Sequence, residues 1–149
     1  MSVLDVFRIG GARALVTGAS RGIGRAVALV LAEAGADLAL SARTAENLND
    51  TAHDVEAFGR RVAVLADDVA GPGAADDVVE RASVALGGLD IVVHSAGLLP
   101  LHDDGTPVLV PLGLSSQADR GHVMSVNPTP RPACAVLPIL TSPSPPGPA

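Results

Sequence analysis

Three glycines within seven residues, Gly18, Gly22 and Gly24, separate an apolar run, Ala14-Leu15-Val16, from a helix-like stretch that reaches Ala34 and stops at Gly35. Such punctuation allows a strand, a tight backbone turn and the first turn of a helix, and little else. The same alternation of short apolar runs and longer helical patterns then repeats, the signature of βαβ units and a parallel sheet. Further strands are expected at 37–40, 61–65 and 89–93, each nearly continuous in apolar character and so buried on both faces. Helices are expected from Gly22 to Ala34, from Ala45 to Phe58 with Thr44 as its cap, and from Ala74 to Leu86 between glycines at both ends.

The turn itself suits phosphate. Glycines let an anion approach the backbone without meeting a Cβ, and the helix start offers free N–H groups at the positive end of its dipole. A nucleic-acid backbone is excluded as the partner by a net charge of -6 and the lack of a basic cluster. One cysteine, Cys134, excludes an internal disulfide and fits a reducing compartment. The start of the chain lacks a secretory pattern, and its longest apolar run, Ala26 to Ala32, is far short of a membrane span. A cytoplasmic protein without a membrane partner is expected.

The segment Thr17-Gly18-Ala19-Ser20-Arg21-Gly22-Ile23-Gly24 resembles the cofactor turn of the short-chain dehydrogenase/reductase family, Thr-Gly-x-x-x-Gly-x-Gly, at every fixed position. Asp68-Val69 after the third strand resembles that family's pair at the adenine ring. His94-Ser95-Ala96-Gly97 after the fourth resembles its Asn-Asn-Ala-Gly element, with only Ala-Gly retained. The resemblance implies a Rossmann-type doubly wound parallel sheet, here incomplete at about four strands and three to four helices. It also implies a dinucleotide held by Gly18, Ser20, Arg21, Gly22, Ile23, Gly24, Asp68, Val69, Ser95, Ala96 and Gly97.

Cofactor choice is read at the end of the second strand, about 20 residues beyond the turn, where NAD-binding folds place an acid for the ribose hydroxyl. This chain has Ser41-Ala42-Arg43. A guanidinium attracts a 2′-phosphate that a carboxylate would repel, so Arg43 favours NADP(H) over NAD(H), with Arg21 as a second cation, unless Glu46 pairs with Arg43. Asp67 and Asp68 are not a metal site, since adjacent side chains on an extended segment point oppositely and no third ligand is spaced nearby. His53, His102 and His122 read as solvated, whereas His94 stands where the family has Asn and can bond the adjoining backbone.

The family reaction is hydride transfer between the nicotinamide and an alcohol or carbonyl compound, so an alcohol or ketone is the implied substrate. It uses a Tyr acid/base, a Lys that lowers the phenol's pKa, an orienting Ser and a supporting Asn. The sequence contains no Tyr, and all ten basic residues are Arg. A short helix is expected from about Ser116 to Val126, and Asn127 in Val126-Asn127 resembles the family's Val-Asn pair on the helix after the fourth strand; an alternative alignment makes 121–126 a fifth strand with Ser125 near the family's serine. Pro128, Pro130 and Pro132 then forbid a regular helix or central strand. A cofactor domain at 1–127 and a Pro-rich, irregular or disordered tail at 128–149 are therefore expected. So is a truncated member, inactive alone and with a doubtful oligomer interface. A non-catalytic NADP(H)-binding module is the alternative.

Overall fold

The computed structural model describes residues 8–71 and 73–97. These form, in order, β1 (Arg13–Thr17), α1 (Gly22–Glu33), β2 (Asp37–Ala42), a 3-10 turn (Glu46–Leu48) leading into α2 (Asn49–Ala57), β3 (Val62–Ala66), α3 (Ala74–Leu86) and β4 (Ile91–His94). All strand pairs are parallel and the sheet runs β3-β2-β1-β4. The chain thus winds outward from β1 through β2 to β3, then returns through α3 to the other side of β1. The expected short helix at 116–126, Asn127 and the Pro-rich tail lie outside the described residues.

One face of the sheet is covered by α1 and α2. Gly24, Ala28 and Ala32 recur every four residues along α1, and these small side chains bring the helix close to Ala14, Val16, Leu38 and Leu40. Leu48 and Val55 extend that core beneath α2. On the opposite face Val78, Ala82 and Leu86 of α3 pack on Leu15, Ala39 and Leu65. Each fully buried Leu or Val adds about 1.5–3 kcal/mol of transfer free energy, so the larger α1/α2 face carries most of the stabilisation.

Burial on both faces holds only for the two central strands, from Ala14 to Thr17 and from Leu38 to Ser41. β3 and β4 depart from the expectation: Val64 is 38% and Val92 53% exposed. They flank the sheet, each with one strand neighbour among the described residues; Val92 lies on the face where α3 packs chiefly over β2 and β3, and Val64 on the face that carries α1 and α2. The second helix also differs. Its first residues tighten into the 3-10 turn, whose N-terminal cap is Ala45 rather than Thr44, without a side-chain hydrogen bond. The third helix has the expected bounds, between Gly73 and Gly87 in the left-handed conformation.

Candidate functional site

Because the strands are parallel, the segments that follow β1, β2, β3 and β4 all emerge at one edge of the sheet. Along that edge, in spatial order, stand Asp68 and Val69, then Arg43, the glycine turn, and finally Ser95, Ala96 and Gly97. The chain reverses its winding direction between β1 and β4, where an open α/β sheet leaves a crevice.

The turn is built from backbone contacts that side chains would destroy. Gly18 takes φ +66° and Gly22 φ +57°, both left-handed. A Cβ on Gly18 would lie 2.8 Å from the Ala96 nitrogen and from the Ser95 carbonyl oxygen. A Cβ on Gly24 would fall onto the carbonyl oxygen of Gly18 and within 3.2 Å of Ser95 Oγ. The turn is therefore folded tightly on itself and pressed against the segment after β4.

Hydrogen bonds hold this packing. The Ser95 and Ala96 N–H groups both donate to Thr17 Oγ1 at 3.2 Å, and that oxygen lies 3.1 Å from His94 Nδ1. The Ala19 N–H donates to the Ser41 carbonyl at 3.1 Å, which ties the turn to β2. From α2, the buried Thr51 hydroxyl donates to the Ala19 carbonyl at 3.0 Å. Arg25 on α1 reaches Asp54 on α2 at 2.6 Å, and this bond holds the guanidinium pKa above its usual value.

α1 begins without a side-chain cap, its N-terminal cap being Arg21, and no acid stands in its first turn. Its hydrogen-bond ladder starts with the Arg25 N–H on the Arg21 carbonyl, so the N–H groups of Gly22, Ile23 and Gly24 have no helical acceptor. α2 has Asp50 in its first turn, and α3 has Asp76 and Asp77. Among the described helices α1 thus keeps its positive end unneutralised, next to glycines that leave the backbone bare. These features suit the pyrophosphate of a dinucleotide.

Arg21 and Arg43 are exposed, and neither forms an ion pair among the described residues. The Arg43–Glu46 pairing considered from the sequence is not formed. Asp67 is engaged by Arg81 at 2.6 Å, while Asp68 Oδ1 accepts the Ala70 N–H at 3.1 Å. Val69 is half-buried against the core beneath α3, and Ile23 is 78% exposed. Among the described residues, no group of three His, Cys, Asp or Glu could hold a metal, and no helix is long and apolar enough to cross a membrane.

Sequence reasoning missed Thr51 and gave Thr17 no role beyond its place in the motif. A threonine in a polar stretch such as Asn49-Asp50-Thr51 carries no local sign that it will be buried. Only the docking of α2 on α1 turns its hydroxyl toward the glycine turn.

A four-stranded parallel sheet in this order, with helices on both faces and a glycine turn at the switch of direction, defines a Rossmann-type α/β unit. The chain belongs to the short-chain dehydrogenase family, whose family model matches residues 12–134. It is 41% identical over 95 residues to an uncharacterized oxidoreductase of Mycobacterium tuberculosis, covering 64% of this chain and 36% of that protein. A short-chain type dehydrogenase/reductase from Mycobacterium marinum superposes with a TM-score of 0.73 at 34% identity, over 85% of this chain and 48% of that one. A short-chain dehydrogenase from Burkholderia cenocepacia, solved in complex with NADP, gives a TM-score of 0.70 at 39% identity, over 80% of this chain and 46% of that one. The chain therefore spans between about a third and a half of the length of these relatives.

Proposed function

We propose that the chain binds a nicotinamide dinucleotide at the edge where the strands end, with NADP(H) preferred over NAD(H). In this reading the pyrophosphate lies against the bare N–H groups of Gly22, Ile23 and Gly24, and the 2′-phosphate against Arg43 and Arg21. The observation that carries it is the pair of exposed guanidiniums without ion-pair partners among the described residues, beside an α1 start that has neither cap nor acid. Relatives solved with NADP or NADPH support the choice of ligand. When bound, the cofactor supplies hydride exchange with an alcohol or carbonyl compound. The chain's own residues bind and orient its phosphates.

A second reading, a nucleotide-binding module without turnover, is favoured by one observation: the 149 residues contain no Tyr and no Lys. An ordinary phenol is already a poor base at neutral pH, and a chain without one needs another proton acceptor for hydride chemistry.

Titration with NADPH and with NADH, followed by cofactor fluorescence and thermal unfolding, tests both readings. A chain without Trp or Tyr adds almost no emission of its own. NADPH is expected to bind at least about tenfold more tightly, and Arg43→Ala to remove about tenfold of NADPH affinity while sparing NADH, as befits charge-assisted hydrogen bonds. Equal affinities for the two cofactors would remove the role given to Arg43. Binding without reduction of a broad panel of ketones and aldehydes supports the module, and turnover overturns it.

A further inference from the structure

We infer that His94 is a positioning residue: its imidazole fixes the direction of the Thr17 hydroxyl proton and thereby locks the Ser95-Ala96 segment against the glycine turn. The inference deepens the nucleotide-binding reading and rests on it for its functional consequence.

The hydroxyl of Thr17 is buried, with the residue only 5% exposed, and three groups surround its oxygen. The N–H groups of Ser95 and Ala96 both point at it from 3.2 Å, and His94 Nδ1 lies 3.1 Å away. A hydroxyl has two lone pairs and one proton. Two backbone donors occupy both lone pairs, so the proton is left for His94 and Nδ1 accepts it. The imidazole therefore carries its own proton on Nε2. With the opposite tautomer, three donors would crowd two lone pairs and the hydroxyl proton would lose this acceptor.

The consequence is mechanical. Gly18 packs on the backbone of Ser95 and Ala96, a Cβ there lying only 2.8 Å from Ala96 backbone atoms, and Gly24 packs on the Gly18 carbonyl and the Ser95 hydroxyl. β1 and β4 pair in register from Ala14 and Ile91 up to Thr17 and His94, so His94 sits directly beside Thr17 at the last rung of the ladder. Beyond that rung the two strands have no ladder hydrogen bonds, and the Thr17 oxygen replaces them. Without an acceptor at position 94, the hydroxyl proton competes for the space of one of its two donors. The segment after β4 then loses part of its hold on the turn. Asn suits the same position because its side-chain oxygen can take the place of Nδ1.

The test uses the full chain and the variants His94→Asn, His94→Phe, Thr17→Val and the His94→Phe/Thr17→Val double variant. Nitrogen-15 spectra of the His94 ring are expected to show the proton on Nε2; a proton on Nδ1 overturns the inference. His94→Phe should speed exchange of the Ser95 and Ala96 amides about three- to tenfold, leaving those of Leu15 and Leu40 unchanged, while His94→Asn restores parent rates. NADPH affinity should follow the same order, and the His94→Phe loss should vanish in the Thr17→Val background. General acceleration of all amides, or an Asn variant as poor as Phe, leaves His94 as packing only and overturns the inference. A parent chain that does not bind NADPH overturns the functional reading alone, since the ring spectrum and the two exchange rates still decide the role of His94.

Discussion

At the edge where the strands begin, Arg13 grips Asp90 through two hydrogen bonds of 2.8 Å and Arg61 grips Asp37 at 2.7 Å. The same arginines, with Arg60, also reach the carbonyls that close helices: Arg13 that of Gly87, Arg61 that of Leu86, and Arg60 that of Gly35. At the opposite edge Arg21 and Arg43 find no acid among the described residues. The parallel fold explains the contrast, because helices run antiparallel to their strands and present their negative ends at the first edge and their positive ends at the second. Cations at the first edge neutralise what the fold itself places there. At the second edge they add to positive ends, which is stabilising only when an anion arrives.

The largest effect that separates the two edges is expected within the turn. Gly24→Ala drives a methyl group into the Gly18 carbonyl, and backbone cannot swing aside as a side chain can. A loss of about 3 kcal/mol is expected, with NADPH binding abolished. Gly22→Ala meets nothing within 4 Å and bears only the left-handed φ of +57°, a cost of about 1–2 kcal/mol. Chemical denaturation of the two variants measures the difference. Equal losses would show that the tight approach of Gly24 to Gly18 is not what shapes the site.

A smaller loss is expected from Thr51→Val, which keeps the shape of the side chain and removes the donor to the Ala19 carbonyl. A buried carbonyl left without its partner costs about 1–3 kcal/mol, and NADPH affinity should fall with it because Ala19 lies inside the turn. A stable variant with unchanged affinity would separate α2 from the site.

These residues also show what the sequence could and could not disclose. The glycine spacing at 18, 22 and 24 and the apolar runs at 14–16 and 37–40 carry their meaning locally, through backbone conformation and strand burial. The turn and the first βαβ unit were legible for that reason. The strand ends were less so: Ser41 and Ala42 belong to β2 because β1 and β3 continue beside them, a fact of pairing that no single segment holds. β3 and β4 look like central strands in composition, yet Val64 and Val92 are open among the described residues, since exposure depends on which helices the assembled sheet carries over each face. Thr51 and the Thr17–His94 contact join residues 32 and 77 positions apart in sequence, and only the assembled sheet and helices bring them together.

The smallest effect is expected at the first edge and depends on pH. The hydrogen bonds from the Arg13 guanidinium, with that of its backbone N–H, outweigh burial and hold the Asp90 carboxyl below the usual carboxylate range. A carboxyl with a lowered folded pKa stabilises the fold at every pH above its unfolded value. That contribution is lost as pH falls through the folded one. Asp90→Asn should therefore lower the thermal midpoint by a constant few degrees between about pH 6 and 8, and the gap to the parent should close below about pH 4. Arg43→Ala, at the other edge, should leave the midpoint of the ligand-free chain unchanged across the whole range, because no acid among the described residues pairs with it. Unfolding curves of both variants against pH measure the contrast. A gap for Asp90→Asn that persists in acid would assign its effect to packing at the start of β4, and a pH-dependent gap for Arg43→Ala would place a hidden carboxylate partner beside the site.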